Sequence, residues 1–161
     1  RQMCIRDRWK EALSRTDGPT SIILSRQKLD SFVVKELDQL KMGGYFVSKK
    51  NDATVNLIAT GSEVGLAIEA EKLLTTDGIN CNVVSVPCLE TLLSNKNRYN
   101  EIFSSKTTNI VIECGHPNSW YKHTQNVIGI DCFGESGKGK DLMDHFGFTP
   151  EKITNKIKQM I

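Results

Sequence analysis

The chain has 161 residues, of which 39% are hydrophobic and 25% are charged, and its formal net charge is +2. This length allows one full domain and part of a second, and the small charge without a clustered basic stripe argues against a nucleic acid partner. No apolar run reaches the roughly 18 to 20 residues of a membrane helix, and the N-terminus lacks the apolar run of a secretory signal, so we expect a cytoplasmic protein without a membrane partner.

The first eight residues do not continue into any predicted element. Residues 3–8, MCIRDR, resemble the translation of a transposon adaptor used in DNA library preparation. We therefore interpret residues 1–8 as an adaptor-derived scar and exclude them from the fold prediction. The alternative is a natural, frayed terminus.

Residues 9–42 predict only part of a domain. Trp9 and Leu13 fall on one helical face, residues 18–19 form a Gly-Pro turn, and residues 20–24 (TSIIL) predict a short strand. The apolar surface of this part is too small for a core of its own. We therefore interpret it as the end of a larger α/β domain.

Two glycines, Gly43 and Gly44, mark the predicted domain boundary. They are followed by an apolar run at residues 45–47 and a polar turn at residues 48–52. Conformationally loose glycines beside a polar turn are typical of a linker. We expect a second domain to span residues 43–161.

The second domain opens with a strand that leads into a helix. Residues 55–60 are apolar and partly β-branched, and from Ser62 to Leu74 the apolar residues recur at helical spacing, with Ser62 as the helix cap. Later strands are predicted at residues 82–86, 109–113 and 127–131, with helices at 88–93, 142–146 and from Pro150 onward. This pattern predicts a three-layer α/β sandwich with a mostly parallel sheet of four to five strands, preceded by a partial α/β domain.

Two loops share some features with anion-binding loops. Residues 60–62 (TGS) follow a predicted strand and precede a helix, which is where open α/β sheets bind ligands. Residues 136–139 (SGKG) combine glycines with a lysine. Neither loop has the glycine spacing of a phosphate loop, so a helix cap and a flexible connection are favoured, respectively.

The cysteines and histidines predict no metal centre. Five cysteines without CxxC spacing match neither a disulfide framework nor a zinc site. Four of them lie in or beside predicted strands and are expected to be small buried hydrophobes: Cys81, Cys88, Cys114 and Cys132. The scattered His116, His123 and His145 form no recognisable metal cluster. A nucleophilic couple of Cys114 with His116 lacks an orienting partner and is disfavoured.

Arg26 is the strongest single candidate for a binding residue. It follows the predicted strand at residues 20–24 and stands between Ser25 and Gln27. At such a strand end a guanidinium group can offer its planar fork to a phosphate or a carboxylate. On position alone, a surface ion pair is the favoured alternative.

Six short motifs strongly resemble, in order and spacing, the C-terminal portion of transketolase. They are DGPT at residues 17–20, LSRQ at 24–27, IATGSEV at 58–64, IGID at 128–131, FGES at 133–136 and FGFT at 146–149. Strings similar to ATGSEV occur in other thiamine-diphosphate enzymes, but the combination with SRQ and FGES/FGFT is specific. The resemblance runs from about Trp9 to the last residue.

The resemblance implies an enzyme of the pentose phosphate pathway that transfers a two-carbon ketol unit between sugar phosphates, using thiamine diphosphate and Mg²⁺ or Ca²⁺ as a homodimer. It assigns residues 9–42 to the end of the pyrimidine-binding domain with its linker, and residues 43–161 to the C-terminal domain. Arg26 is implied to bind the substrate phosphate. No catalytic, cofactor-binding or metal-binding residue is implied in this chain, so the chain alone is expected to bind no cofactor and to be inactive.

This sequence departs from the transketolase pattern in two ways. Lys28 and Asp30 follow Gln27 where the family commonly has Asn and Pro, and there is no GDG metal-diphosphate motif. One alternative function is a stand-alone C-terminal dimerisation or regulatory module. Another is a fragment of a related enzyme such as 1-deoxyxylulose-5-phosphate synthase or the β chain of 2-oxo acid dehydrogenases, over which SRQ and FGES/FGFT favour transketolase.

Overall fold

A computed structural model describes residues 9, 12–24, 29 and 37–161 of the chain. The predicted scar at residues 1–8 and the candidate Arg26 lie outside these described residues. Within them, no helix combines the length and the apolar character that crossing a membrane requires.

A mixed sheet forms the centre of the structure. The described residues contribute five strands: β1 Tyr45–Ser48, β2 Val55–Ala59, β3 Cys81–Ser85, β4 Thr108–Ile112 and β5 Asn126–Ile128. Their order across the sheet is β1-β3-β2-β4-β5. Strands β2 to β5 run parallel, whereas β1 pairs antiparallel with β3. The mostly parallel sheet predicted from the sequence is confirmed, and the run that we interpreted as part of a boundary forms its antiparallel edge strand.

Helices cover both faces of this sheet. They are α1 Glu63–Thr76, α2 Leu89–Ser94, α3 Lys96–Ile102, α4 Gly139–His145 and α5 Pro150–Lys158, with 3-10 helices at Leu37–Met42 and Pro117–Ser119. Because successive strand residues point to opposite faces, Leu57 packs in a core with α1 and α5. Ile58 packs in a second core with Leu92 of α2 and Ile102 of α3. The predicted three layers are therefore confirmed.

The end of α1 and the start of α5 follow the signals read from the sequence. Gly78 adopts a φ of 78° just after α1, and its N–H donates to the Thr75 carbonyl at 3.1 Å. This left-handed conformation is one that glycine adopts without steric cost. At the start of α5, the Thr149 hydroxyl accepts from the Lys152 N–H at 3.4 Å, and Pro150 occupies the first turn.

Three sequence expectations are wrong in detail. Residues 20–24 form no strand, and Ile23 is 94% exposed, because none of the described residues offers a neighbouring strand to share its backbone hydrogen bonds. Gly43 and Gly44 are buried against other elements, so they are not a loose linker. Of the four cysteines expected to be buried, only Cys81 is; Cys88 and Cys114 are half-buried, and Cys132 is exposed because it lies in the loop that leaves the sheet after β5. The assignment of residues 9–42 to a separate domain stays a prediction.

Candidate functional site

In a sheet of this topology, a ligand-binding site is expected at the carboxyl ends of β2 and β4. From β2 the chain passes through α1 to β3 on one side, and it then crosses to β4 on the other side. Open α/β sheets bind ligands at this kind of topological switch point. The loop at residues 60–62 follows β2, and the loop at residues 113–116 follows β4.

Glu113 bridges these two loops. The Thr60 hydroxyl donates to Oε2 of Glu113 at 2.8 Å, and the Gly115 N–H donates to Oε1 at 3.1 Å. Both carboxylate oxygens are therefore engaged by the protein itself. The bridge occupies the place at which an open crevice would accept a ligand.

The amino end of α1 carries a second carboxylate. Ser62 stands at the N-cap position, but its hydroxyl donates to Oε1 of Glu63 at 2.7 Å instead of accepting a backbone N–H. The predicted side-chain cap by Ser62 is therefore wrong. Glu63 is 5% exposed and lies in the first helical turn, where the helix dipole stabilises a negative charge. An external phosphate at this helix end would meet a negative charge already present.

Cys114 is held as a thiol. Burial raises its pKa most, and the charges of the neighbouring Glu63 and Glu113 carboxylates raise the pKa further. Its Sγ atom lies 3.7 Å from Sδ of Met143. Because the thiolate is the reactive form of cysteine, this thiol is a poor nucleophile at neutral pH.

The histidines make separate local contacts. His116 Nδ1 accepts from the N–H of Asn118 in its own loop at 3.3 Å, so the ring is not oriented by Cys114. His123 Nδ1 lies 2.9 Å from the Tyr99 hydroxyl, and His145 Nε2 lies 3.6 Å from Glu135. In the part of the chain that the structure describes, no three His, Cys, Asp or Glu side chains form a group that could hold a metal ion.

The crevice between β2 and β4 is thus closed by polar side chains, and the carboxylates of Glu63 and Glu113 make it negatively charged. The sequence signals this only weakly: Thr60 and Glu113 each follow an apolar strand, but 53 residues separate them. The glycine-lysine loop at residues 136–138 is exposed. Among the described residues we therefore find no cradle for an anion at this edge, and Arg26 lies outside them.

Comparison with known proteins gives a consistent result. The family model described as the transketolase-like TK C-terminal domain matches residues 43–149. Transketolase 2 of Aliivibrio fischeri is 38% identical over 161 residues, and transketolase of Bacillus subtilis is 37% identical over 163 residues. Each alignment covers 95% of this chain and 24% of the relative. The chain therefore spans about a quarter of the length of these curated relatives.

Solved structures agree in fold. Transketolase from Campylobacter jejuni matches with a TM-score of 0.84 at 36% identity, covering 98% of this chain and 24% of that chain. Transketolase from Leishmania mexicana matches with a TM-score of 0.91 at 27% identity, covering 99% of this chain and 24% of that chain. Both matches include the residues before the sheet as well as the sheet itself.

Proposed function

Because the chain belongs to the transketolase family, we propose that it serves as the C-terminal part of an enzyme that transfers a two-carbon ketol unit between sugar phosphates. The observation that carries this proposal is the match to transketolases along 95% of the chain, which includes residues before the C-terminal domain. That extent favours a transketolase over a stand-alone dimerisation or regulatory module.

The cofactors of the parent enzyme, thiamine diphosphate and Mg²⁺ or Ca²⁺, do not fit the described residues. The switch-point crevice ends on the carboxylates of Glu63 and Glu113, which disfavour a diphosphate by charge. The oxygens of Glu113 are already engaged by Thr60 and Gly115. We expect both cofactors to be held by parts of the parent enzyme other than this chain, and no step of the reaction is assigned to it.

The one substrate contact that we propose in this chain is Arg26. Its support is the SRQ motif at residues 25–27 and the planar guanidinium fork, which matches phosphate geometry with two parallel hydrogen bonds. In this role Arg26 would bind the phosphate end of the sugar and leave the reacting carbons to the cofactor. We extend the proposal to the homodimeric state and the cytoplasmic location that the family resemblance implies.

A coupled assay with xylulose 5-phosphate and ribose 5-phosphate tests the division of labour. The isolated chain, with thiamine diphosphate and Mg²⁺ added, is expected to give no turnover, whereas the full-length parent is active. Metal-dependent turnover by the isolated chain would refute the proposal.

The role of Arg26 is tested in the full-length parent. Arg26→Ala should raise the KM for a phosphorylated sugar about 10- to 100-fold, because a charge-assisted bidentate contact contributes about 1.5–3 kcal/mol. Arg26→Lys keeps the charge but loses the fork, so an intermediate KM is expected. Lys28→Ala, two residues along, is the matched control, and an unchanged KM in Arg26→Ala would count against the assignment.

A further inference from the structure

The chain enters the sheet through a segment that is packed on two helices. Gly43 has a φ of 79°, and a Cβ atom there would overlap the Leu92 nitrogen and lie 2.6 Å from the Cys88 carbonyl oxygen. The Cys88 N–H donates to the Gly43 carbonyl at 3.2 Å. At Gly44, a Cβ atom would lie 2.8 Å from Cδ1 of Ile102. Both glycines therefore permit close contact with α2 and α3.

Arg98 holds this entry segment from the side of α3. Its side chain is 8% exposed, and its Nε donates to the Gly44 carbonyl at 2.9 Å. Nη2 donates to Oε1 of Gln39 at 2.5 Å, and Nη1 donates to Oε2 of Glu101 at 2.6 Å. One guanidinium thus joins three elements: the 3-10 helix Leu37–Met42, the start of β1, and α3.

Glu101 and Lys49 complete the arrangement, which we name the entry clamp and define as Gln39, Lys49, Arg98 and Glu101. Oε1 of Glu101 lies 2.7 Å from Nζ of Lys49, and both cations lie over the ring of Phe46, at 4.6 Å and 5.3 Å. Burial opposes ionisation of Glu101, but the hydrogen bonds and charges of Lys49 and Arg98 together lower its pKa. The carboxylate is therefore charged at neutral pH and can pair with both Lys49 and Arg98.

A gain in the stability of the folded domain does not by itself explain why an arginine is buried at position 98. Replacing a buried ion pair by apolar residues is often neutral or stabilising, whereas a polar network can fix one arrangement among several. One hydrogen bond of Arg98 stays within α3, at Glu101, and the other two end on the segment that precedes β1. The network therefore fixes the direction in which the chain enters the domain.

We propose that Arg98 is a positioning residue, which fixes residues 37–44 to the C-terminal domain and so provides a rigid base for the upstream part that carries Arg26. This inference rests on the proposed function of Arg26. Gln39 follows Arg26 by 13 residues in the sequence, so a firm attachment at Gln39 removes the freedom that a Gly-Gly linker would add. Loss of that attachment should affect the binding of the sugar phosphate more than the chemical step.

The direct test uses the 161-residue chain itself. In Arg98→Met, amide hydrogen exchange at residues 39–46 should become at least about tenfold faster, while exchange in β2 and β4 stays slow. Gln39→Ala removes a single contact of the clamp and provides the answer if Arg98→Met does not fold. Lys72→Met, which breaks an exposed pair with Glu69, is the matched control. Unchanged exchange at residues 39–46 in a folded Arg98→Met or in Gln39→Ala overturns the clamp.

The functional test uses the full-length parent enzyme. Gln39→Ala and Arg98→Met should raise the KM for xylulose 5-phosphate about three- to tenfold with kcat within about twofold, because misplacement weakens a positioned contact. The KM for an unphosphorylated ketol donor should not change. If Arg26→Ala also leaves the KM unchanged, the proposed function of Arg26 fails. If Arg26→Ala raises the KM and both clamp variants do not, the positioning role fails by itself.

Discussion

The two ends of the parallel strands are closed in different ways. At the amino ends, Asn82, Asn56 and Asn109 occupy the same register on β3, β2 and β4 and form a ladder of neutral side chains. At the carboxyl ends, the carboxylates of Glu63 and Glu113 accept hydroxyl and backbone hydrogen bonds. A buried neutral network mainly defines the strand register, whereas a charged one also sets which ligands the edge can accept.

The asparagine ladder has an acceptor for each amide. Nδ2 of Asn82 donates to Oδ1 of Asn56 at 2.8 Å, and Nδ2 of Asn56 donates to the Ile102 carbonyl at 2.8 Å and approaches Oδ1 of Asn109 at 3.1 Å. Oδ1 of Asn82 accepts from the N–H of Lys50 at 2.7 Å. Paired amides of this kind penalise a register slip, because a one-residue shift of one strand would move its asparagine to the other face of the sheet, away from the other two.

The largest effect is expected from Asn56→Leu. This change keeps the branching of the side chain but leaves the buried amide of Asn82 and the carbonyl of Ile102 without their partner, at a cost of about 3 kcal/mol in the free energy of unfolding. Urea denaturation measures that cost. Asn100→Leu, on the exposed side of α3, is the control and should change stability by less than about 0.5 kcal/mol. A cost for Asn56→Leu as small as that of the control would mean that the ladder does not stabilise the sheet.

Much of this architecture is predictable from sequence because its signals are local. Strands β2, β3 and β4 are short apolar, β-branched runs, and Gly78 and Pro150 are turn and helix-start residues of known preference. Strand β1 is harder to recognise, since it has four residues at the edge of the sheet and follows two glycines. The sequence does not distinguish a flexible glycine from one, such as Gly43, that is packed against a neighbouring helix.

The polar contacts that define the two edges are less predictable because their partners are distant in sequence. Thr60 and Glu113 meet only after β2 and β4 have paired. Arg98 meets Gln39 across 59 residues. No short motif encodes such pairs, since each depends on the register of elements that lie between them. Arg26 is the opposite case, because its motif is recognisable and its place in the fold lies outside the described residues.

The carboxyl edge holds a thiol, Cys114, whose reactivity depends on its burial and on the carboxylate beside it. Because burial and then Glu63 raise the pKa of Cys114, its alkylation by iodoacetamide at pH 8 should be at least about tenfold slower than that of the exposed Cys132. Glu63→Gln should accelerate alkylation of Cys114 and leave Cys132 unaffected. Peptide mass spectrometry separates the two sites. Equal rates for Cys114 in both proteins would show that Glu63 does not control the thiol.

A smaller effect on stability is expected from the bridge between β2 and β4. Thr60→Val keeps the shape of the side chain and removes the hydroxyl that donates to Glu113, which should lower the free energy of unfolding by about 1 kcal/mol. Thr124→Val is not a suitable control, because its hydroxyl donates to the Asn109 carbonyl. Thr76→Val is the better comparison, because the Thr76 hydroxyl is exposed at the end of α1 and donates within its own helix, to the Leu73 carbonyl, so water can replace the lost contact. A Thr60→Val cost equal to that of Asn56→Leu would remove the difference between the two edges.

The smallest expected effect is a dependence on pH that comes from His123, which takes part in neither of the two polar networks. Burial, and then the charge of Lys122, lower the pKa of His123 below its ordinary value near 6.5. The folded state therefore prefers the neutral imidazole, and the unfolded chain binds a proton more readily. The resulting stability is complete above about pH 6.5 and is lost as the pH falls towards the lower folded pKa.

His123→Gln keeps an acceptor for the Tyr99 hydroxyl but cannot titrate. The free energy of unfolding, measured by urea denaturation between pH 7 and pH 5, should therefore have a weaker slope against pH. Asn56→Leu should retain the original slope, because the ladder that it breaks is made of neutral amides. If Asn56→Leu flattened the slope and His123→Gln did not, the titrating group would have to be sought at the amino edge.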